Sequence, residues 1–206
     1  RPAEPSWFVH QPVLGTVVEI RVGAAVPSAV AERIDAAVVA EFQRLERVCS
    51  VYDPDSDLQR WKADSSGHPG RDLSTVLAAA LDWQHRCGGV FNVLAGLAVR
   101  RWRLAEATGV PPGSDELAEL VAAMAVAPYT IDDDGLPVAT GDLSGVDLNA
   151  FAKGWIVDRA LEAGLEAARR AGVAADGPDL LVNAGGDLRH AGTEPLVVGI
   201  ENPLRP

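Results

Sequence analysis

The stretch Val146-Asp147-Leu148-Asn149-Ala150-Phe151-Ala152-Lys153-Gly154-Trp155-Ile156-Val157-Asp158 reads as a strand handing over to a helix, with small residues at the junction. A helix N-terminus presents unpaired backbone N–H groups and a partial positive charge, which suits a phosphate or an electron-rich ring carbonyl. Lys153 reads as a first-turn residue, where the helix dipole disfavours a cation, so a bound anion accounts for it better than helix stability does. A solvated lysine on a capped helix is the plainer reading of that segment alone. Val182-Asn183-Ala184-Gly185-Gly186-Asp187-Leu188 carries paired glycines that allow positive φ and close approach of a ligand or a backbone. Taken alone it is a hairpin turn with Asp187 exposed. Gly88-Gly89-Val90-Phe91-Asn92-Val93-Leu94-Ala95-Gly96-Leu97 either lines a pocket for a planar ring or is a helix cap followed by a core strand.

These segments need elements to position them. Val13 to Val22 mixes Val13, Val17 and Val22 with Thr16, Glu19 and Arg21, as a half-buried strand does. Val30, Ile34, Val38, Leu45 and Val48 follow helical spacing, which predicts one amphipathic helix over Ala29 to Cys49 with Ser28 at its start. Tyr52-Asp53-Pro54-Asp55-Ser56-Asp57 is a turn-forming cluster, and Ser65 to Gly70 is a loop. A second helix is predicted from Leu73 to Cys87, closed by Gly88-Gly89. A third begins at Ser114. Tyr129 to Ile131 and Leu136 to Ala139 flank Asp132-Asp133-Asp134-Gly135 as a hairpin. Val146 to Leu148 is read as a strand, Phe151 to Ala171 as a helix, and Leu180 to Val182 and Leu196 to Ile200 as strands. Strands and helices are interspersed without strict β-α-β alternation. The fold class is therefore α+β, a mostly antiparallel sheet covered by helices.

Composition narrows the function. Acidic residues outnumber basic ones 29 to 18, a net charge of -11, and that field repels nucleic acid. No apolar run approaches the ~20 residues that span a bilayer, so no transmembrane segment is expected. Compartment stays open between the cytoplasm and export with a signal segment removed. Cys49 and Cys87 form no CxxC, and burial as free thiols is the reading preferred over a disulfide. His10, His68, His85 and His190 are scattered and read as surface or structural residues. No GxSxG elbow, HExxH, P-loop or GxGxxG after a strand is present.

The order of the pieces carries more than any one of them. Leu14-Gly15-Thr16, Ser50 through Leu58, Gly89-Val90-Phe91-Asn92 with Gly96 and Trp102, Asp147-Leu148 through Lys153-Gly154 to Asp158, Val182 through Asp187 with Gly192, and Val198 through Pro203 occur in sequence. In this the chain resembles the ApbE family of bacterial FAD:protein FMN transferases. The resemblance implies a T-fold-like α+β architecture and a single flavin-transferase domain over 1–206, C-terminally truncated relative to the family. It implies FAD as substrate and Mg2+ as cofactor, with FMN passing to a Thr hydroxyl of a target flavoprotein and AMP released. An FAD-binding module without catalysis and an FAD pyrophosphatase releasing FMN and AMP are the alternatives.

Carried over by position, the resemblance implies flavin or FAD contacts at Leu14, Tyr52, Val90, Phe91, Asn92 and Lys153, and a pocket-shaping role for Gly185, Gly186 and Asp187. Asn92 stands where the family usually has Asp, which removes a charge and keeps an acceptor. Ala150 matches a metal position that acts through its backbone carbonyl. No catalytic residue is assigned.

Overall fold

Alternation is cleanest where one face of a strand is covered, and the second strand of this chain shows it: Val18, Ile20 and Val22 are buried while Val17, Glu19 and Arg21 are not. A computed structural model describes residues 4–174, 178–193, 195–200, 202 and 204. Its elements are β1 (Ser6–Val13), β2 (Thr16–Val22), α1 (Ser28–Cys49), α2 (Asp57–Ala63), α3 (Arg71–Arg86), α4 (Ala95–Thr108), α5 (Ser114–Ala123), β3 (Tyr129–Ile131), β4 (Pro137–Ala139), α6 (Asn149–Arg170), β5 (Leu180–Ala184) and β6 (Asp187–Ala191). The chain divides into two units, residues 1–43 with 156–206 and residues 44–155. The fold is α+β, as the interspersed pattern predicts.

The first unit is a four-stranded sheet in the order β1-β2-β5-β6, antiparallel throughout. Val18, Ile20 and Val22 of β2 and Leu180, Val182 and Ala184 of β5 are buried, as are Ile34, Val38 and Phe42 of α1 and Ile156, Val157 and Ala160 of α6. Helix and strand approach closely: a Cβ on Gly164 would stand 2.8 Å from Val38 Cγ2 and 2.9 Å from Leu180 Cδ2. Each large apolar side chain buried here is worth roughly 1.5–3 kcal/mol relative to exposure.

The second unit is helical, with α2 to α5, the β3–β4 hairpin, the end of α1 and the start of α6. Leu58 and Trp61 of α2, Leu73, Val76 and Leu77 of α3, and Leu143, Val146 and Leu148 are buried. Tyr129 is fully buried and donates its hydroxyl to Leu77 O at 3.0 Å, while Trp61 meets its ring edge-on at 5.8 Å. Burial pushes the Tyr129 phenol up.

Four expectations need correction. Val13 to Val22 is not one strand but the end of β1, a tight turn at Leu14-Gly15, and β2; both turn residues have positive φ (50° and 68°), the geometry that suits a two-residue hairpin. The Tyr52–Asp57 cluster is the turn its residues predict, and it runs straight into an unpredicted α2, because Ser56 Oγ accepts the Gln59 N–H at 3.1 Å and caps a helix. Leu94 to Leu97 enters α4 and not a core strand. Val146 to Leu148 pairs with no strand among the described residues; a 3-10 turn at Leu143–Gly145 leads through it into α6. Among the described residues Leu196 to Ile200 is likewise unpaired, and the strand that follows β5 across Gly185-Gly186 and pairs with it is β6. Both cysteines are free, Cys49 buried and Cys87 half-buried.

Candidate functional site

In the second unit a cleft of about 520 Å³ opens between α2, α4 and the segment entering α6. Three elements supply its polar groups. The Ser56 cap fixes the start of α2, and its Oγ also donates to Ser50 O at 2.7 Å, so the loop before the helix is held at both ends. That places Gln59 and Lys62 one helical turn apart on the cleft side. Helix α4 contributes Arg100 and Arg103 at the same spacing. It is seated on the Leu143–Gly145 turn at Gly96, where a Cβ would stand 2.7 Å from Gly145 O, so only glycine permits the approach. The loop after α1 supplies Tyr52, and the segment before α6 supplies Asp147.

Tyr52 is 68% exposed yet held in place. Its hydroxyl oxygen accepts from Arg103 Nη2 at 3.3 Å and from Asn149 Nδ2 at 3.4 Å, and the Arg103 guanidinium lies 5.7 Å from the ring centroid. An exposed ring so fixed is a platform on which a planar heterocycle stacks at little entropic cost. Lys62 is half-buried and donates to Val146 O at 3.0 Å. Burial, and then the Arg100 charge, holds its ammonium below the usual lysine range, against the opposing pull of Asp147 and Asp142.

The N-terminus of α6 gathers most of the residues singled out for this unit. Asp147 Oδ1 accepts the Asn149 N–H at 2.8 Å, so the anion position at the helix start carries the protein's own carboxylate. Asp147 N–H in turn donates to Val93 O at 2.9 Å, which ties the Val90–Val93 loop to the helix start. Phe91 meets Phe151 with ring centroids 5.8 Å apart, and Val90 stands 93% exposed beside it. Asn92 uses both ends of its amide: Oδ1 accepts the Leu94 N–H at 2.8 Å and Nδ2 donates to Met124 O at 2.9 Å. Because α6 begins at Asn149 and not at Phe151, Lys153 is its fifth residue and lies past the first turn, where the dipole argument loses force.

The remaining predicted residues meet in the first unit. Gly185 N–H donates to Val17 O at 3.0 Å, and a Cβ there would stand 2.3 Å from Thr16 Oγ1. The β5–β6 turn, which carries Gly185 and Gly186 and leads to Asp187, therefore packs against the β1–β2 turn that carries Leu14. Asn183 locks the arrangement, accepting the Gly186 N–H at 3.0 Å and donating to Glu19 Oε2 at 2.8 Å.

Among the described residues no three His, Cys, Asp or Glu side chains come together as a metal group. Ala150 is exposed and has only a backbone carbonyl to offer, whereas Mg2+ asks for six oxygens in near-octahedral array. The described residues do not by themselves fit a resident dication. Sequence reasoning missed Lys62, Arg100 and Arg103. At sequence level each is a cation on a helix surface, and only the fold turns all three into one cleft.

An α+β protein with an aromatic platform above a cationic cleft is the class that fold and site define. The chain belongs to the ApbE family, whose model matches residues 14–206. It is 28% identical over 165 residues to the FAD:protein FMN transferase of Treponema pallidum (strain Nichols), an alignment covering 73% of this chain and 44% of that protein. It is similar to the flavin transferase ApbE from Vibrio cholerae, with a TM-score of 0.74 and 25% identity over 98% of this chain and 65% of that one. The ApbE protein from Thermotoga maritima shares the fold, with a TM-score of 0.76 and 23% identity over 97% of this chain and 64% of that one. The chain thus spans less than half the length of the curated relative and under two thirds of these solved structures. No helix among the described residues is long and apolar enough to cross a membrane.

Proposed function

We propose that this chain supplies the FAD-binding part of an FAD:protein FMN transferase. The observation that carries the reading is Tyr52, an exposed ring held by Arg103 and Asn149 at the edge of a cleft lined by Lys62 and Arg100. A flavin dinucleotide needs what such a site offers: a face on which a ring stacks and cations for two phosphates. Phe91, Val90, Ala150 and Lys153, grouped at the start of α6, are proposed as further contacts, with Asn92 holding their loop in place. Leu14, Gly185, Gly186 and Asp187 are proposed as contacts or shaping residues on the first unit.

The reaction proposed is attack of a threonine hydroxyl oxygen of a target flavoprotein on the FMN phosphorus of FAD. A P–O bond to that oxygen forms, the P–O–P bridge breaks, AMP leaves, and the hydroxyl proton passes to solvent or buffer. The protein's part is to bind the ring, orient the diphosphate and neutralise it. Mg2+ is proposed to arrive with the substrate phosphates, with the Ala150 carbonyl as one donor.

The test is a fluorescence titration with FAD, with and without Mg2+, on the wild-type chain and Lys153→Ala. It is followed by incubation with a threonine-bearing acceptor flavoprotein and chromatography for AMP. Saturable binding weakened in the variant, then acceptor-linked flavin with AMP, is the expected result. AMP and free FMN without an acceptor would make the protein a pyrophosphatase, and binding without AMP a flavin-binding module.

A further inference from the structure

In a chain of net charge -11, cations are normally spent on carboxylates. Nine arginines stand in such ion pairs: Arg21, Arg44, Arg60, Arg86, Arg101, Arg159, Arg169, Arg170 and Arg189. Among the described residues Lys62, Arg100 and Arg103 do not, and neither do Arg33, Arg47 and Arg71; of these six, Lys62, Arg100 and Arg103 line one cleft together. Each donates instead to a neutral oxygen: Lys62 to Val146 O at 3.0 Å, Arg100 Nη1 to Ser144 O at 2.7 Å, and Arg103 to the Tyr52 hydroxyl at 3.3 Å.

The carboxylates nearest these cations are already engaged. Asp142 accepts from both the N–H and the hydroxyl of Ser144, at 2.8 and 2.7 Å, and Asp147 accepts from Asn149 N–H. Both pull on the Lys62 charge without reaching ion-pair distance among the described residues, and their pull does not offset burial and the Arg100 charge. The half-buried ammonium is further destabilised by the Arg100 charge, a repulsion that folding alone gains nothing from. Lys62 keeps two N–H donors and Arg100 keeps a fork of donors for a ligand. The volume, about 520 Å³, is within the range of small-molecule sites.

We infer that Lys62 and Arg100, with Arg103 at the mouth, are the diphosphate-holding wall of this cleft and set its preference for a nucleoside diphosphate group over an unphosphorylated ring. The inference deepens the FAD reading and rests on it for the identity of the natural ligand, but the wall itself is tested without FAD. Bound phosphate oxygens replace the missing carboxylate partners, and the neutral-oxygen hydrogen bonds hold the cations pointed into the cleft in advance. Tyr52 beside them offers its ring to the base or the flavin.

The experiment is calorimetric titration of the full chain with ADP, riboflavin and FAD, on wild type, Lys62→Met, Arg100→Met, the double variant and Lys62→Arg. ADP affinity should fall about 10-fold or more for each single charge removed and further for the pair, since each removes a charge-assisted hydrogen bond to phosphate. Riboflavin affinity should not change, and Lys62→Arg should restore most of the ADP affinity. Added salt should weaken ADP binding and leave riboflavin binding alone. ADP binding to the double variant as tightly as to wild type, or no ADP binding to wild type, overturns the inference. Arg100 is exposed, so Arg100→Met keeps the test alive if Lys62→Met melts early. The two readings fail differently: ADP held by these cations with no FAD bound sinks the transferase reading, whereas FAD bound with equal strength by the double variant sinks the wall.

Discussion

Gly185 and Thr16 stand so close that no other residue fits between them: the Gly185 amide donates to Val17 O at 3.0 Å, and a Cβ on it would lie 2.3 Å from Thr16 Oγ1. Residues 169 positions apart in the chain thereby join two hairpin turns at one end of the first unit's sheet. Gly185 has φ of 57°, so an alanine there meets backbone strain as well as overlap. Gly185→Ala should lose about 2–3 kcal/mol, with a fall in Tm of roughly 4–12 °C on thermal unfolding. Gly154→Ala is the control, because its Cβ meets nothing within 4 Å and it lies within α6; it should be neutral or gain up to about 1 kcal/mol.

Asn92→Asp restores the charge that the family resemblance leads one to expect, and the structure says it should harm stability. Nδ2 is the donor to Met124 O, and a carboxylate would set two acceptors face to face. A loss of about 1–3 kcal/mol by denaturant titration at pH 7 is expected. The loss should shrink in acid. The folded state raises this carboxyl's pKa, so its destabilisation is present above that pKa and fades as pH falls through it.

Tyr52→Ala and Tyr52→Phe separate ring from hydroxyl. The side chain is largely exposed, so neither variant should shift stability by more than about 0.5–1 kcal/mol. Removing the ring should weaken FAD binding by roughly 10-fold, whereas the phenylalanine, freed from Arg103 and Asn149, should cost only a few-fold. Equal FAD affinities for wild type and Tyr52→Ala in the fluorescence titration would remove the platform from the account.

Asp179 gives the first unit an acid limit. Burial alone would raise its carboxyl, but hydrogen bonds from His190 and from Arg21 Nη1, the latter at 2.8 Å, outweigh it and hold the carboxyl below the ordinary value of 3.8. A depressed carboxyl stabilises the fold above its unfolded pKa and loses that contribution as pH falls through the folded one. Asp179→Asn should therefore cost about 1–3 kcal/mol at pH 7 and converge with wild type in acid, below the ordinary carboxylate range, when melting is followed against pH.

The two thiols should react in a defined order. Burial first, then the Asp72 and Asp57 charges, push the Cys49 thiol up to about 12, against a smaller opposing pull from Arg44. Cys49 is buried and Cys87 only half-buried, so a thiolate-directed reagent should label Cys87 first in the native protein. Mass mapping of a partial alkylation checks this, and Cys49 labelled first would contradict the burial shown here.

Much of the fold was legible because its determinants are local. The helical spacing of Ile34, Val38 and Leu45 predicts α1 to within a residue, and the glycine pair at 185–186 predicts a turn that the structure makes a two-residue hairpin. The elements that escaped, β1, α2, α4 and β6, carry weak local signals. Asp53-Pro54-Asp55 reads as a turn whether or not a helix follows, and α2 exists because Ser56 caps it and Leu58 and Trp61 have a core to enter. The sequence predicts a strand at Val146–Leu148 because a buried extended segment and a buried strand share one apolar pattern.

Composition, periodicity and ordered motifs determined on their own an acidic α+β chain, its long helices, its glycine turn and its family. Tertiary structure alone decided which charges matter. Lys62 and Val146 are 84 residues apart, and Arg100 and Ser144 are 44. No window of sequence distinguishes these cations from solvated ones, since a helix-surface lysine has the same local signature in either setting. Packing of α4 on the Leu143–Gly145 turn brings the three to one cleft, where the half-buried Lys62 carries the desolvation cost and the exposed Arg100 and Arg103 add their charge.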